Sequence, residues 1–480
     1  MFIGMNYING LWTYFRSEFK SINPRSEEVL GEFPQSTDQE VLEAVAAAKH
    51  AQKAWRGLSR IQRGEYFDKL CQIIKRDATF LIKAISEETG KHENESLAEV
   101  NETLHMAQFT FSKARMPNGE VVPSEIADKD SYILRKPKGV IGAITPWNFP
   151  YAIPTWCVAP ALLEGNTVIW KPSENTPMVA QMAMAQYVEA GFPDGVINLL
   201  HGNGHVGSEL VYNKDIKHYC FTGSYKTGQL IRQICAVQGN KTCSLEMGSK
   251  SAVIVCADAD MDMAIKACIA SAYKLSGQRC VSASRILVEH QIFDEFTKRF
   301  VEESQKVELG PLINRQQLEK VSEYNRLIEN DEYTQVLLKS ECLSGKGYFL
   351  SPCVYTTKWG IEEKRKFLKE EIFGPAIVII PFDDLEEAIA IYNDTDYGLS
   401  VAVCTNDYRK MRQIRDECDF GLGYVNLPCI GAESFLPFGG VKNSGYGGSS
   451  AAGTFDTVVN KVTWTVNHGE DIKMAQGLQV

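Results

Sequence analysis

A cysteine that follows a glycine-containing turn is the residue of this chain with the clearest potential for covalent chemistry. Cys280 stands in the segment L-S-G-Q-R-C-V at 275–281. A free thiol has a pKa of about 8.5, and only its thiolate attacks an electrophile. An isolated cysteine is more often a small hydrophobic core residue. Cys280 is therefore a candidate nucleophile that needs a base and an anion-stabilising donor beside it.

Two polar residues earlier in the chain have the right chemistry for those supporting roles. Glu246 lies in L-E-M-G-S-K at 245–250, between an apolar residue and a run of small residues. Asn148 lies in I-T-P-W-N-F-P at 144–150, a stretch interrupted by two prolines. A carboxylate can act as a general base, and an amide N–H can stabilise an oxyanion. A single glutamate is usually a surface charge, so the three residues form a site only if the fold brings them together.

Alternating strands and helices would have to position these residues. Short apolar strands are predicted at 139–144, 167–170, 196–200, 218–221 and 241–245, with helices between them. This alternation is typical of a parallel, doubly wound sheet, in which ligands bind beyond the carboxyl ends of the strands.

A second α/β series follows the first. It runs from a helix at 261–275 to a strand at 423–426, which predicts two α/β lobes with a boundary near Gly248. Apolar stripes at helical spacing between 37 and 113 indicate core helices. The tail at 457–466 alternates like a half-exposed strand, and such a strand tends to pair with another, for example in a second subunit.

Composition argues against several other classes of function. The net charge is −10 without a basic stripe, so we expect no nucleic-acid partner. No apolar run approaches the roughly 18 residues of a membrane helix, and the N-terminus does not read as a signal peptide. Thirteen cysteines without a C-x-x-C pair favour free thiols in a reducing compartment, the cytoplasm. The H-x-x-x-H pair His201 and His205 is separated by glycines, so we expect no metal site.

Three segments are candidates for binding a dinucleotide. The G-x-G-x-x-G match at 202–207 lies deep inside the α/β series and lacks the acidic residue expected about 20 positions later, so an ordinary glycine turn is favoured. In F-T-G-S at 221–224, a helix N-terminus and Ser224 could hold a phosphate, or Ser224 could simply cap the helix. Lys171 and Glu174, in K-P-S-E-N-T-P, could hold ribose hydroxyls or form a solvated loop pair.

Taken together, these segments resemble the NAD(P)-dependent aldehyde dehydrogenase superfamily. The likeness covers nearly the whole chain, beginning with I-N-G at 8–10. The family's order continues through P-W-N-F-P, K-P-S-E-N-T-P, F-T-G-S, E-M-G-S-K, G-Q-R-C, E-E-I-F-G-P at 370–375 and L-P-F-G-G-V-K-N-S-G at 436–445. Several motifs in one order are far more specific than any single motif. One departure is Ser249, which adds a Cβ where the family's E-L-G-G-K has glycine.

The resemblance implies a Rossmann-like cofactor lobe, a catalytic lobe and a small bridging β-element. The implied domains are cofactor-binding at 1–118 and 139–247, catalytic at 248–445, and bridging at 119–138 and 455–480. The bridging element implies a homodimer or a homotetramer.

The resemblance also implies roles for the residues at matching positions. Cys280 is the implied nucleophile, Glu246 the general base and Asn148 the oxyanion donor. The implied cofactor is NAD, with NADP as the alternative, and Glu174 is typical of NAD-preferring members. The residues implied to bind the cofactor are Ile144, Thr145, Pro146, Trp147, Lys171, Glu174, Phe221, Gly223, Ser224, Met247, Gly248, Glu371 and Phe373. Those implied to line the aldehyde site are Phe149, Tyr151, Trp156 and Phe435.

The implied reaction oxidises an aldehyde to a carboxylic acid through a thiohemiacetal and a thioester on Cys280. Arg279 could hold the carboxylate of a semialdehyde substrate, although a structural ion pair is the favoured alternative. A coenzyme A-acylating enzyme shares the nucleophile, but the retained base Glu246 favours hydrolysis. A non-enzymatic binding protein would be free to lose both residues. A papain-like thiol hydrolase would need a histidine near the cysteine, and His290 is the nearest along the chain.

Overall fold

The computed structural model describes residues 1–14, 17–343, 345–360 and 365–477, and it shows a mixed α/β protein. The last three residues of the predicted bridging element therefore lie outside the described residues. The helices are α1 (Asp38–Gly57), α2 (Arg60–Thr89), α3 (Glu93–Lys113), α4 (Ala152–Leu163), α5 (Pro177–Glu189), α6 (Gly204–Tyr212), α7 (Tyr225–Gln238), α8 (Met261–Tyr273), α9 (Phe293–Ser304), α10 (Arg315–Glu329), α11 (Lys366–Lys369), α12 (Leu385–Asn393), α13 (Tyr408–Glu417) and α14 (Thr454–Thr457). Short 3₁₀ helices occur at Lys274–Gly277, His290–Ile292 and Ala475–Gly477.

The strands follow the same alternation. They are β1 (Phe2–Ile3), β2 (Asn6–Ile8), β3 (Leu11–Thr13), β4 (Ser17–Ile22), β5 (Val29–Pro34), β6 (Gly119–Val122), β7 (Lys129–Pro137), β8 (Val140–Ile144), β9 (Thr167–Lys171), β10 (Ile197–Leu199), β11 (Ile216–Thr222), β12 (Thr242–Glu246), β13 (Ala252–Val255), β14 (Arg285–Glu289), β15 (Thr334–Leu338), β16 (Cys353–Thr357), β17 (Ala376–Phe382), β18 (Tyr397–Gly398), β19 (Ser400–Cys404), β20 (Leu422–Val425), β21 (Pro437–Phe438), β22 (Val441–Lys442), β23 (Gly445–Tyr446), β24 (Ser450–Ala451) and β25 (Val459–Asn467).

The larger of the two main sheets has eight strands within the described residues, in the order β23-β12-β11-β8-β9-β10-β2-β3. The five strands from β12 to β10 are parallel, whereas β23 and β2 join them antiparallel. Burial on both faces explains the continuous apolar runs of β8 and β9. The carboxyl ends of β8, β9, β11 and β12 meet at one edge, where Asn148, Lys171, Ser224 and Glu246 follow or end a strand.

The second main sheet, built from the later part of the described chain, has the order β15-β16-β17-β14-β13-β19-β20. It is parallel from β16 to β20, and only β15 pairs antiparallel. Arg285, which is fully buried, donates hydrogen bonds to the carbonyls of Lys250, Ile391 and Tyr392. These contacts fasten β14 to the start of β13 and to the end of α12. The mixed α/β fold with parallel sheets that the sequence predicts is thus confirmed.

The terminal strand finds its partner within the same chain. β25 pairs antiparallel with β7 over nine residue pairs, and β7 also pairs with β6, which completes a separate three-stranded sheet. The two predicted stretches of the bridging element therefore lie together. The predicted domain boundaries themselves stay a prediction, and β23, at the end of the predicted catalytic range, joins the first sheet. No helix among the described residues has the length and apolar character needed to cross a lipid bilayer.

Candidate active site

The loop that carries Cys280 has an unusual backbone. Leu275 and Ser276 adopt left-handed conformations at φ 52° and 54°, and Gly277 follows at φ 73°. A Cβ at Gly277 would lie 2.5 Å from the carbonyl oxygen of Gly374, so a side chain does not fit there. Non-glycine residues in this region store strain of the order of 1–3 kcal/mol each, and such strain clusters at functional sites. The loop that carries Cys280 therefore packs closely against the backbone of Gly374 and Pro375.

Two contacts from other elements hold the strained residues in place. The Leu275 N–H donates to Glu95 Oε1 of α3 at 2.9 Å. The Ser276 hydroxyl donates to the Gly310 carbonyl at 2.7 Å. Both partners are distant from the loop in the sequence, so tertiary contacts, not local propensity, determine the conformation of the loop.

Asn148 meets this loop from the other main sheet. Its side-chain Nδ2 donates to the carbonyl of Gln278 at 3.1 Å, two residues before Cys280. Gln278 is fully buried, and its own amide donates to the Leu275 and Pro311 carbonyls. A side-chain amide carries two N–H donors, so a second hydrogen remains to stabilise an anion beside the loop.

Glu246 ends strand β12 and is almost completely buried. Its Oε1 accepts a hydrogen bond from the Ser450 N–H at 3.1 Å, whereas Oε2 has no hydrogen-bond partner among the described residues. Burial raises the pKa of the Glu246 carboxyl well above its ordinary value, and the hydrogen bonds from Ser450 only partly oppose this. The unpartnered oxygen can hold a water molecule. Because its pKa is raised, the ionised Glu246 carboxylate is a stronger base than an exposed carboxylate.

Burial also affects Cys280, the candidate nucleophile. It raises the pKa of the Cys280 thiol to about 12, and the negative charges of Glu371 and Glu246 add to the effect. The N–H groups of Val281 and Cys280 oppose it by stabilising the thiolate. The neutral thiol therefore dominates near pH 7 in the protein without ligands.

Cys280 and Glu246 line the same cavity, which has a volume of about 410 Å³. Three of the predicted substrate-contacting aromatic residues, Phe149, Trp156 and Phe435, line it too, together with Phe438. The fourth, Tyr151, is not among the described lining residues. Its side chain is in the core, where the hydroxyl donates to Gln186 Oε1 at 2.5 Å.

Arg279 also lines this cavity, and two other side chains contact its guanidinium group. Its Nη2 lies 3.3 Å from Glu95 Oε1, and its guanidinium carbon lies 5.0 Å from the centre of the Phe149 ring. Its Nε has no hydrogen-bond partner in the described part of the chain. Arg279 thus forms the expected ion pair and keeps one buried donor.

Sequence reasoning missed Glu102, another carboxyl group in the cavity wall. Its Oε1 is buried and has no hydrogen-bond partner among the residues described. Burial raises the pKa of Glu102 to about 8, with Glu99 adding to the shift and Arg279 and Lys91 opposing it. A neutral carboxyl group can donate one hydrogen bond, so near pH 7 Glu102 presents a donor as well as an acceptor.

A second cavity of about 370 Å³ lies at the carboxyl edge of the first sheet. Nine of the predicted cofactor residues line it: Ile144, Thr145, Pro146, Trp147, Lys171, Glu174, Phe221, Gly223 and Ser224. Lys171 Nζ lies 3.4 Å from Glu174 Oε2, and the Ser224 hydroxyl caps α7 by accepting from the Thr227 N–H at 3.3 Å. Gly204 and Gly207 line it as well. The glycine motif that we interpret as an ordinary turn in the sequence therefore begins α6 at the cavity wall.

The other four predicted cofactor residues form a cluster beside this cavity and are not among its described lining residues. A Cβ at Gly248 would lie 2.5 Å from Glu371 Oε2, and Glu371 Oε1 accepts from the Ser249 N–H at 2.9 Å. The ring of Phe373 meets that of Trp147 edge-on at 5.6 Å between centroids. Met247 lies against Gly228 of α7. Ser249 is accommodated because its hydroxyl bonds to that of Ser251 at 2.6 Å.

Comparison with known proteins places the chain in a family. The model of the aldehyde dehydrogenase family matches residues 12–463. The chain is 35% identical over 460 residues to the α-ketoglutaric semialdehyde dehydrogenase of Bacillus subtilis (strain 168), which covers 92% of this chain and 93% of that protein. It is 34% identical over 462 residues to the betaine aldehyde dehydrogenase of the same organism, covering 92% and 93%. The chain therefore belongs to the aldehyde dehydrogenase family.

Solved structures agree with this assignment. The lactaldehyde dehydrogenase of Escherichia coli superposes with a TM-score of 0.92 at 31% identity, covering 97% of this chain and 99% of that one. The betaine aldehyde dehydrogenase of Staphylococcus aureus in complex with NAD+ superposes with a TM-score of 0.92 at 28% identity, covering 99% and 96%.

We predict that alkylation of Cys280 by iodoacetamide accelerates about tenfold per pH unit from pH 7 to 10. A pKa of about 12 lies above this whole range, so the reactive thiolate fraction keeps rising with pH. Mass spectrometry of the labelled peptide gives the rate, and the exposed thiol of Cys342 reports on reagent activity in the same sample. A rate that levels off below pH 9 would contradict the raised pKa.

Proposed function

We propose that this chain oxidises an aldehyde to the carboxylic acid, with NAD+ as cofactor and NADP+ as the alternative, through covalent bonds to Cys280. The observation that carries this proposal is that Cys280 and Glu246 line one cavity while the Asn148 amide is bonded to the nucleophile loop. A nucleophile, a base and an oxyanion donor are the groups that such a reaction needs.

The neighbouring cavity fits a dinucleotide. The N-termini of α6 and α7 both reach it, and unpaired helix N–H groups favour a bound phosphate. The Lys171 ammonium and the Glu174 carboxylate suit the two hydroxyls of a ribose. The Staphylococcus aureus relative with the same fold was solved in complex with NAD+. When bound, the nicotinamide ring accepts a hydride.

In the proposed mechanism, the neutral Cys280 thiol first gives its proton to a water molecule, and the resulting thiolate forms a bond to the carbonyl carbon of the aldehyde. The oxygen of that carbonyl becomes an oxyanion, which the Asn148 amide and the Cys280 N–H stabilise. The C–H bond then breaks with loss of hydride, and a thioester to Cys280 remains. The ionised Glu246 takes a proton from water, the hydroxide attacks the thioester, and the C–S bond breaks to release the acid and the thiolate.

The proposed substrate group is that of semialdehydes, which carry a carboxylate. The unpartnered Nε–H of Arg279 supports this, since a buried donor with a positive charge suits an anionic tail. The neutral form of Glu102 would donate a second hydrogen bond. Relatives named for semialdehyde substrates are 32–35% identical to this chain.

Three further features belong to the same proposal. We propose that the first main sheet binds the cofactor, the second carries the nucleophile, and the β6-β7-β25 sheet joins copies of the chain into a homodimer or homotetramer. Exposed apolar residues on that sheet, Val121, Leu134 and Trp464, support the assembly role. Sedimentation equilibrium would measure the assembly.

All thirteen thiols are free, which supports a reducing compartment such as the cytoplasm.

We expect Cys280→Ala to abolish NADH formation from a reactive aldehyde, because no other group forms the covalent intermediate. Absorbance at the NADH band measures turnover, and calorimetry should show that NAD+ still binds. Cys342→Ala removes an exposed thiol and serves as the matched control with full activity. Normal turnover by the Cys280 variant would refute the proposed function.

Glu246→Gln should slow the steady state more than the first turnover. A glutamine cannot take the proton from water, and general-base assistance is worth roughly 10²–10⁴ in rate. Stopped-flow measurement should therefore show a preserved burst of NADH followed by a slow phase. If NADH forms only with added coenzyme A and acyl-coenzyme A is the product, the acylating alternative replaces hydrolysis.

Arg279→Met should raise the KM for a semialdehyde by roughly 10- to 100-fold, since a hydrogen bond to a charged group is worth about 1.5–3 kcal/mol. The KM for the neutral aldehyde of the same chain length serves as the internal control and should change little. Steady-state assays over a matched pair of aldehydes measure both. Equal changes in KM for the two substrates would show that Arg279 has only a structural role.

A further inference from the structure

A completely buried ion pair lies next to the 148–152 segment, and the proposed mechanism does not use it. Lys91 Nζ lies 2.5 Å from Glu99 Oε2, and the two side chains are 1% and 0% exposed. Lys91 lies between α2 and α3, and Glu99 lies in α3. Taking two charges out of water costs several kcal/mol per ion before pairing, so such a pair needs good hydrogen bonds to persist. Its contacts show where those hydrogen bonds go.

Both members of the pair bind the backbone that carries Asn148. Lys91 Nζ donates to the Asn148 carbonyl at 2.8 Å and lies 4.3 Å from the centre of the Phe149 ring. Glu99 Oε1 accepts from the Tyr151 N–H at 2.8 Å and from the Ala152 N–H at 3.2 Å, where α4 begins. One ion pair therefore fixes both ends of the 148–152 segment.

The same helix also holds the nucleophile loop. Glu95, one helical turn before Glu99, accepts from the Leu275 N–H at 2.9 Å. Residues at i and i+4 of a helix are surface neighbours, about 6 Å apart along the axis. Helix α3 thus sets the separation between the backbone of the oxyanion donor and the backbone of the nucleophile, which come from different sheets.

We propose that the Lys91–Glu99 ion pair is a positioning device for the oxyanion donor. Neither residue touches the substrate, and both act through the backbone of Asn148. This inference rests on the proposed function, because it assumes that the Asn148 amide stabilises the thiohemiacetal oxyanion. Without the pair, the 148–152 segment loses its fixed position, and the amide is no longer preorganised for the charge that develops on the carbonyl oxygen.

A double-mutant cycle between Lys91→Met and Asn148→Ala tests the proposal. The rate of NADH formation in the first turnover covers thiolate addition, which forms the oxyanion, and the hydride transfer that follows. Asn148→Ala alone should slow it about 10²–10³-fold, the typical effect of losing one oxyanion donor. Lys91→Met alone should slow it at least tenfold, with the affinity for NAD+ unchanged. The double variant should match Asn148→Ala within about twofold, because Lys91 acts only through that amide.

Additive effects would overturn the proposal, since they would show that Lys91 acts independently of Asn148. An unchanged burst rate in Lys91→Met would also overturn it. If Lys91→Met does not fold, Glu99→Gln takes its place in the cycle, because glutamine keeps an acceptor for the Tyr151 and Ala152 N–H groups while removing the charge. The same non-additivity with Asn148→Ala is expected for this variant, and additivity would again refute the proposal.

Arg60→Met is the matched control. Arg60 forms a partly buried ion pair just beyond the opposite end of α4, with Nη2 2.6 Å from Glu164 Oε1. Its loss should lower thermal stability without slowing the burst, and its effects should be independent of Asn148→Ala. The proposed function and this inference fail in different ways. Turnover by Cys280→Ala refutes the former, whereas additivity in a protein that shows a burst refutes the latter alone.

Discussion

The hydrogen bond from the Asn148 amide to the Gln278 carbonyl joins the two halves of the candidate site. Asn148 follows a strand of the eight-stranded sheet, whereas Gln278 belongs to a loop that precedes a strand of the seven-stranded sheet. The main apolar cluster of the first sheet also includes Val281 and Leu399 from the later part of the chain, so apolar packing and hydrogen bonds of this kind together set the position of one sheet relative to the other. If the two loops separated, Cys280 and Asn148, the proposed nucleophile and oxyanion donor, would have no fixed positions relative to each other.

Burial gives the site its electrostatic character. Cys280, Glu246 and Glu102 all face one cavity, and in each the lack of water around the charged form raises the pKa. The same low dielectric that disfavours a thiolate also strengthens every hydrogen bond to an oxyanion formed there. The site therefore holds its reactive groups in neutral forms until a reaction partner supplies compensating interactions. Such an arrangement limits unwanted reactions of the thiol.

Much of the fold could be predicted from local patterns. The expected helix at 315–329 has the observed bounds Arg315–Glu329, and the strand expected at 167–170 extends one residue further, to Lys171. Only the resemblance to the family predicts that Cys280 and Glu246 share one cavity, because Glu246 ends β12 whereas Cys280 lies in a loop that precedes β14. Tyr151 shows where such reasoning stops. It lies next to aromatic residues of the cavity in the sequence, yet its position at the start of α4 turns its side chain into the core.

Contacts between residues that are distant along the chain cannot be predicted from local sequence patterns. Lys91 and Asn148 are 57 positions apart, and nothing near either residue shows that they meet. In the sequence, Glu95, Glu99 and Glu102 look like the charged positions of an ordinary amphipathic helix. The sequence likewise predicts a plain turn at Gly204 and Gly207, because the acidic residue that usually accompanies the motif is missing. Only the fold shows that α6 begins at the second cavity.

The contact between Glu246 and Ser450 bears on the order in which the protein is made. The N–H that holds the Glu246 carboxyl comes from a residue 204 positions later, and β25, at 459–467, supplies an edge strand to β7. A ribosome-bound chain that already contains Cys280 still lacks both of these segments. During translation the thiol is thus present well before the carboxyl group beside it is oriented. The native arrangement of the proposed catalytic groups therefore requires that the C-terminal residues have left the ribosome, because Ser450 and β25 are synthesised last.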